Sequence, residues 1–141
     1  GNATDNNILA ILAKYGIYPG KVQLWGTGKP LREFLWSEEM ADASVYIMEH
    51  IDFQDVRPEG NEVRNTHINI GTGKELSIKE VATLIQEKIG FDGELVFDAS
   101  KPDGTLRKLT DVSKLHALGW HHKIEIAEGV ELLYNWYLDK Q

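Results

Sequence analysis

Two loops of the sequence hold side chains that could bind a charged ligand. The first loop follows an alternating segment, Lys21–Trp25, and runs through Gly26-Thr27-Gly28-Lys29-Pro30 to Arg32. An indole at the end of a strand can pack against a base or a sugar, and a guanidinium can hold a phosphate through two parallel hydrogen bonds. Trp25 and Arg32 are therefore candidate ligand-binding residues, and the alternative is a core tryptophan beside a solvated arginine.

The second loop is Lys101-Pro102-Asp103-Gly104-Thr105-Leu106-Arg107-Lys108, which combines three cations with one carboxylate. Cations suit a phosphate, whereas the carboxylate of Asp103 can accept a hydrogen bond from a ribose or sugar hydroxyl. This pattern indicates a ligand with both kinds of group, whose anion is bound by the cations of the loop and whose hydroxyl is bound by Asp103. A solvated, charged turn is the alternative.

The motif Gly-Thr-Gly-Lys occurs twice, at residues 26–29 and 71–74, and suggests a phosphate loop. Neither copy has the glycine that a P-loop requires five positions before the Gly-Lys pair. The dinucleotide fingerprint Gly-x-Gly-x-x-Gly fails as well, because its third glycine would fall on Leu31 or Leu76. We therefore expect turn glycines after strands rather than a nucleotide fingerprint.

Other catalytic and metal-binding patterns are missing from the sequence. His116, His121 and His122 lack a carboxylate or a fourth imidazole at ligand spacing on a shared helix face, so we expect packing or surface roles and no metal site. There is no cysteine, no Ser-His-Asp order, no nucleophile elbow and no Tyr-x-x-x-Lys pair.

Composition restricts the possible partners. The chain has 141 residues, about one domain by length, and a formal net charge of −7 from 22 acidic and 15 basic residues. An acidic chain is a poor ligand for nucleic acid, and no apolar run approaches the roughly 18 residues of a membrane helix. We expect neither a nucleic acid nor a membrane partner, and the absence of cysteine favours a reducing, cytoplasmic location.

The hydrophobic pattern predicts a small α/β fold with short strands and about five helices. The predicted strands are Lys21–Trp25, His67–Gly71 and Glu94–Phe97. The first two predicted helices are Asp5–Tyr15 and a helix that is capped by Ser37 and runs to about His50. The third begins with the capping box Ser77-Ile78-Lys79-Glu80 and ends at Gly90. The fourth is capped by Asp111 and runs through Leu118, and the fifth begins at about Ile126.

Two of these helices have clear apolar faces. The helix after Ser37 places Met40, Ala43, Ser44, Ile47, Met48 and Ile51 on one side, and the last helix does so with Ile126, Val130, Leu133, Tyr134 and Tyr137. The face of the last helix has the spacing of a buried stripe and is predicted to be buried. Between the two helices, residues 52–64 are polar around Pro58-Glu59-Gly60 and predict an exposed loop.

Three segments, in order, resemble one enzyme family. Residues 22–35 (VQLWGTGKPLREFL), 67–73 (HINIGTG) and 97–108 (FDASKPDGTLRK) look like the C-terminal part of the GDP-L-fucose synthases, which belong to the extended short-chain dehydrogenases/reductases, or NAD-dependent epimerases/dehydratases. Trp36 departs from the pattern, since a histidine is common there. The first 20 residues resemble no general family element and are interpreted as a helical extension inserted in a subgroup.

The resemblance implies that residues 21–141 are a substrate-binding domain whose N-terminal, NADP-binding Rossmann domain is absent from this chain. Such enzymes convert GDP-4-keto-6-deoxy-D-mannose to GDP-L-fucose by epimerisation and NADPH-dependent reduction. Trp25, Arg32, Asp103 and Lys108 correspond to substrate-contacting positions. NADPH would be bound by the missing domain, so the chain alone is expected to bind no cofactor and to have no turnover.

The same resemblance predicts self-association, and a homodimer for the whole enzyme. In such enzymes the helix after Arg-Glu-Phe-Leu and the strand ending Asn-Ile-Gly pack on the nucleotide domain, so Ile68, Ile70 and the face of Met40 and Ile47 would lack their cover. Two alternatives remain open for the function. One is another nucleotide-sugar epimerase or reductase, and the other is a free-standing, non-catalytic nucleotide-sugar binding module.

Overall fold

The computed structural model describes residues 3–60 and 63–140, and these form two compact units. The first lies within Gly1–Arg32 and Leu76–Arg107, the second within Glu33–Glu75 and Lys108–Gln141. The first two residues of the predicted extension, two residues of the predicted loop 52–64, and Gln141 lie outside the described residues. The predicted mixed α/β class is confirmed, with six helices among the described residues.

The first unit is built on a three-stranded sheet. Its helices are α1 (Ala3–Lys14) and α4 (Ile78–Ile89), and its strands are β1 (Ile17–Tyr18), β2 (Lys21–Trp25), β3 (Leu31–Arg32), β4 (Leu76–Ser77) and β5 (Glu94–Asp98). The order is β1-β2-β5, with β1 antiparallel and β5 parallel to β2, while β3 and β4 form a separate antiparallel pair. The predicted strands Lys21–Trp25 and Glu94–Phe97 are therefore confirmed, and the structure shows that they are parallel neighbours.

The second unit is helical. Its elements are α2 (Ser37–His50), α3 (Phe53–Val56), α5 (Ser113–Ala117) and α6 (Ile126–Asp139). Ala43, Leu115 and Trp120 form its buried core, and partly buried apolar side chains pack on them, namely those of Leu35, Tyr46, Ile47, Ile68 and Ile70. The expectation that Ile47, Ile68 and Ile70 lack cover is therefore wrong, because this cluster buries them in part. Met40, in contrast, is 44% exposed.

The predicted strand His67–Gly71 does not form. Within the described residues this segment has no pairing strand, and side chains hydrogen-bond its backbone and neighbours instead. Lys114 Nζ donates to the carbonyl oxygens of Asn65 and His67, and Asn69 Nδ2 donates to the Asp111 carbonyl at 2.9 Å. A local sequence pattern can favour a strand but cannot supply the partner that a ladder needs.

The helix ends test the predicted caps. Ser77 accepts from Glu80 N and the Glu80 carboxylate accepts from Ser77 N, so the predicted capping box is confirmed, as is the left-handed Gly90 at φ 67°. Ser37 is not a cap, since Glu39 and Met40 donate to the Trp36 carbonyl and the helix begins one residue earlier than a Ser37 cap would allow. The predicted Asp111 cap is also wrong, because α5 begins at Ser113 with Val112 as its N-cap residue. Asp111 Oδ1 instead accepts from Ser113 N at 3.0 Å, and the helix ends at Ala117, one residue before the predicted Leu118.

The apolar face of α6, which is predicted to be buried, and that of α2 are both partly exposed. On α6, Leu133 is 55% and Tyr137 51% exposed, and on α2, Met48 is 84% exposed. The predicted exposed loop 52–64 contains the one-turn helix α3, which opens with a capping box between Asp52 and Asp55. Among the described residues, no helix combines the length and apolar composition that crossing a membrane requires.

Candidate functional site

A pocket of about 90 Å³ in the first unit contains three of the four predicted site residues. Trp25, Arg32 and Asp103 line it, together with Gly28, Pro30, Ile78, Pro102 and Gly104. The two loops that the sequence singles out thus meet at one place, although 76 residues separate their closest hydrogen-bonded partners. Lys108, the fourth predicted residue, lies in the second unit and is exposed.

The end of the parallel strand pair positions the first loop. Trp25 pairs with Asp98 in register, and Gly26 N donates to the Asp98 carbonyl at 3.0 Å. Gly28 has φ +74°, and a Cβ there would lie 2.6 Å from the Phe97 ring, so only glycine lets the loop turn this close to β5.

The N-terminus of α4 fixes the same loop. Lys79 N donates to the Gly28 carbonyl at 2.9 Å, and Ile78 N donates to the Pro30 carbonyl at 3.0 Å. These are N–H groups of the first helical turn, which a phosphate would otherwise use. The first Gly-Thr-Gly-Lys motif is therefore a supported turn and not a phosphate loop.

The guanidinium of Arg32 is fixed by two backbone carbonyls. Its Nη1 donates to Leu31 O at 2.6 Å and to Thr105 O at 2.8 Å, and Leu31 N donates to Leu106 O at 2.8 Å. Within the described residues, Nε and Nη2 have no hydrogen-bond partner and remain available as donors. Arg32 is thus an oriented cation at the pocket, which is what binding a phosphate or another anion requires.

The carboxylate of Asp103 is held by one residue. Thr27 N donates to Oδ1 at 2.8 Å, and Thr27 Oγ1 donates to Oδ2 at 2.6 Å. These two hydrogen bonds, with a smaller contribution from the charge of Lys29, lower the pKa of Asp103. Asp103 therefore remains ionised near neutral pH, and each oxygen retains a lone pair for a further donor.

The indole of Trp25 is 72% exposed, so the alternative of a core tryptophan is wrong. Lys101 Nζ lies 5.5 Å from the centroid of this ring, within the range of a cation–π contact. An exposed aromatic face beside a fixed guanidinium suits a planar base or a sugar next to a phosphate.

Glu33, which the sequence analysis does not single out, occupies the second Gly-Thr-Gly turn. Its Oε1 accepts from Thr72 N and Gly73 N, both at 2.6 Å, and its Oε2 accepts from Thr110 N at 3.2 Å. Partial burial by itself would raise the pKa of Glu33, but the hydrogen bonds from Thr110, Gly73 and Thr72 outweigh it and lower the pKa. No sequence signal marks this glutamate, because its partners lie about 40 and 77 residues away along the chain.

These contacts also test whether the chain fits a dinucleotide cofactor. A pyrophosphate site needs free backbone N–H groups at a glycine-rich turn. In the turn at 71–74, the backbone N–H groups of Thr72 and Gly73 already donate to Glu33. The turn at 26–29 lies against the first N–H groups of α4, which already have acceptors. These two glycine turns therefore do not offer an NADP pyrophosphate the free N–H groups that it needs.

The three histidines do not converge on a common point. The rings of His116 and His121 stack at 4.3 Å between centroids, while His122 Nε2 lies 3.3 Å from Glu125 Oε1. Burial, followed by the nearby His121 and His122, lowers the pKa of His116. Within residues 3–60 and 63–140 no group of three potential ligands could hold a metal ion.

The chain is similar to sequences and structures of sugar-nucleotide enzymes. The family described as "NAD dependent epimerase/dehydratase family" matches residues 2–71. The GDP-L-fucose synthase of Escherichia coli K12 is 47% identical over 120 residues, which are 85% of this chain and 37% of that enzyme. The chain therefore spans little more than a third of the curated relatives that it matches.

Solved structures give the same family. A GDP-6-OMe-4-keto-L-xylo-heptose reductase from Campylobacter jejuni superposes with a TM-score of 0.90 at 45% identity, over the whole of this chain and 40% of the reductase. A GDP-L-fucose synthetase from Naegleria fowleri bound to NADP gives a TM-score of 0.70 at 25% identity, over 95% of this chain and 38% of that one. The predicted resemblance is thus confirmed, and this chain belongs to the NAD-dependent epimerase/dehydratase family, with its similarity centred on the GDP-L-fucose synthases.

Proposed function

We propose that this chain is the GDP-sugar-binding portion of a GDP-L-fucose synthase, the enzyme that converts GDP-4-keto-6-deoxy-D-mannose to GDP-L-fucose by epimerisation and NADPH-dependent reduction. The main support is the pocket at Arg32, where a guanidinium fixed on two carbonyls lies beside the exposed indole of Trp25. The 47% identity to the E. coli synthase selects the substrate class.

Each proposed substrate contact has its own chemistry. Arg32 and Lys108 bind the diphosphate or nearby polar groups, since Arg32 has open donors and Lys108 has an exposed cationic side chain. Asp103 accepts from a nucleotide hydroxyl through the lone pairs that Thr27 leaves open. Trp25 packs its exposed face on the base or the sugar.

The redox and proton-transfer steps belong to residues outside this chain. We propose that an N-terminal NADP-binding domain of the parent enzyme holds NADPH and the catalytic groups, because the glycine turns of this chain have internal partners. Residues 21–141 then form the substrate-binding part, in a cytoplasmic enzyme. Residues 1–20 are a feature of a subgroup. This agrees with the extent of the matches, because the match to the heptose reductase includes the whole chain, whereas the match to the E. coli synthase includes 85% of it.

A second candidate has specific support. The C. jejuni enzyme is a reductase of a GDP-linked heptose, and its structure matches the entire chain at a TM-score of 0.90. The parent enzyme would then reduce a GDP-linked heptose instead of a 6-deoxyhexose. The pocket chemistry described above is the same for both, since a GDP moiety is common to both substrates.

We also propose that the chain self-associates. On α6, Leu133, Trp136 and Tyr137 are each more than half exposed, and Met48 on α2 is 84% exposed. Apolar side chains exposed to this extent on one helix favour association. In the parent enzyme we propose a homodimer.

Calorimetric titration of the chain with GDP-L-fucose and with UDP-glucose tests the proposed function. We expect saturable binding of the GDP-sugar and weaker binding of the UDP-sugar. The same chain incubated with GDP-4-keto-6-deoxy-D-mannose and NADPH should show no oxidation of NADPH at 340 nm. Equal affinity for the two nucleotides, or no binding of either, would contradict the GDP-sugar assignment, and turnover would contradict the assignment of catalysis to other residues.

A further inference from the structure

The turn at Gly71-Thr72-Gly73 binds an anion that belongs to the chain itself. Two successive backbone N–H groups, those of Thr72 and Gly73, point at Oε1 of Glu33 at 2.6 Å, and Thr72 Oγ1 lies 3.3 Å from the same oxygen. Successive N–H groups directed at one anion form a nest, the arrangement that binds phosphates in many proteins. A Cβ at Gly71 would lie 2.5 Å from that oxygen, so glycine leaves the room that the carboxylate needs.

The second oxygen of Glu33 binds a different segment. Oε2 accepts from Thr110 N at 3.2 Å, two residues after Lys108. One carboxylate therefore joins the turn at 71–73 to the backbone that begins with Lys108. The side chain of Lys108 is exposed, so the hydrogen bonds of Glu33 can position it only by fixing the backbone nearby.

We infer that Glu33 is a positioning residue for sugar-nucleotide binding, which fills the nest at Thr72 and Gly73 and fixes the backbone at 108–110 so that Lys108 can bind the ligand. This inference rests on the proposed function, because Lys108 is a substrate contact only there. Glu33 itself does not contact the ligand. The nest does not bind the phosphate of the ligand either, since its two N–H groups are occupied.

A double-mutant cycle on the full 141-residue chain tests the coupling, with GDP as the titrated probe. Glu33→Gln keeps the shape and one acceptor oxygen for the nest, but its amide nitrogen cannot accept from Thr110 N. We expect GDP binding to weaken about tenfold. Lys108→Met should weaken binding in the wild-type background and have little further effect in the Glu33→Gln background.

Trp25→Ala is the matched control, because Trp25 belongs to the other unit and is proposed to pack on the base or the sugar. Its effect on GDP affinity should be the same in both backgrounds, which also shows that Glu33→Gln leaves the first unit folded. Equal effects of Lys108→Met in the two backgrounds overturn the inference alone. A wild-type chain that does not bind GDP overturns the proposed function and, with it, the role of Glu33 in ligand binding.

Amide hydrogen exchange measured by NMR tests the nest directly and needs no nucleotide. In the wild type, we expect the amides of Thr72, Gly73 and Thr110 to be protected, and Glu33→Ala to remove that protection. Inorganic phosphate should then shift the Thr72 and Gly73 amide resonances of Glu33→Ala but not those of the wild type. Equal exchange of the Thr110 amide in the two proteins would overturn the inference.

Discussion

Both carboxylate oxygens of Asp103 accept hydrogen bonds from Thr27, one from the backbone N at 2.8 Å and one from Oγ1 at 2.6 Å. This contact joins the two loops that the sequence marks as ligand-binding. Two roles for Asp103 are therefore distinguishable by experiment, namely a direct contact with a ligand hydroxyl and support of the loop through Thr27.

Substitutions at Thr27 separate these roles. Thr27→Val removes only the hydroxyl, so a direct ligand contact by Asp103 predicts a small loss of GDP-fucose affinity for Thr27→Val and a larger one, roughly tenfold, for Asp103→Asn. Thr27→Ser, which keeps the hydroxyl, is the control and should bind like the wild type. Equal losses for Thr27→Val and Asp103→Asn, with no further loss in the double variant, would instead assign Asp103 to loop support.

Arg32 should be sensitive to more than its charge. Arg32→Met removes a charge-assisted contact and should weaken GDP-sugar binding by about 1–3 kcal/mol. Arg32→Lys should also weaken binding, because one ammonium cannot bond two carbonyls and keep a planar pair of donors for a phosphate. Calorimetry measures both, and Arg57→Lys, at an exposed arginine of the second unit, is the control. An unchanged affinity for Arg32→Met would remove this residue from the site.

The stability of the chain should fall in acid partly through Glu33. Its pKa is lowered from the ordinary 4.5 in the folded chain, so folding favours the ionised form. The resulting stabilisation is fully present above that ordinary value and disappears as the pH falls through the lower folded pKa. Urea unfolding between pH 7 and pH 3 should therefore show a smaller acid loss for Glu33→Gln than for the wild type, and Glu59→Gln should follow the wild type. Parallel curves for the wild type and Glu33→Gln would contradict this linkage.

Leu115 should be among the most sensitive core positions. Its side chain is 0% exposed and packs with Ala43 and Trp120, so Leu115→Ala leaves a cavity and should lower the free energy of unfolding by about 2–5 kcal/mol. Leu106→Ala is the control, since Leu106 is 66% exposed and should change stability little. Denaturant unfolding measures both, and similar losses at the two positions would contradict the assignment of the core.

Self-association should depend on α6. Trp136 is 58% exposed, so Trp136→Lys places a charge on the proposed contact and should shift the sedimentation coefficient towards that of a monomer. Leu106→Lys adds the same charge in the other unit and should leave sedimentation unchanged. A wild-type chain that sediments as a monomer at high concentration would contradict the proposal.

The family and most of the regular elements could be predicted from local sequence. The capping box at Ser77 and the alternation of Lys21–Trp25 determine structure through neighbours a few residues away, and both predictions are confirmed. The prediction of a strand at 67–71 rests on the same kind of evidence and is wrong, because strand formation depends on a partner elsewhere in the chain. The predicted burial of the apolar face of α6 is wrong in part for a similar reason, since periodicity shows which side of a helix is apolar but not what covers it.

For the candidate site, too, the sequence indicates the types of side chain, whereas the tertiary structure decides their contacts. Residue types and spacing by themselves indicate Trp25, Arg32, Asp103 and the cations of the loop 101–108, because an indole, a guanidinium, a carboxylate and an ammonium have fixed chemistry wherever they lie. The family resemblance then selects Lys108 among those cations. Only the tertiary structure decides that Arg32 bonds to Thr105, that Thr27 holds Asp103, and that Glu33 fills the turn at 71–73. These hydrogen bonds join segments about 40 to 76 residues apart, so the folding of the backbone, and not the local sequence, brings their donors and acceptors within 3 Å.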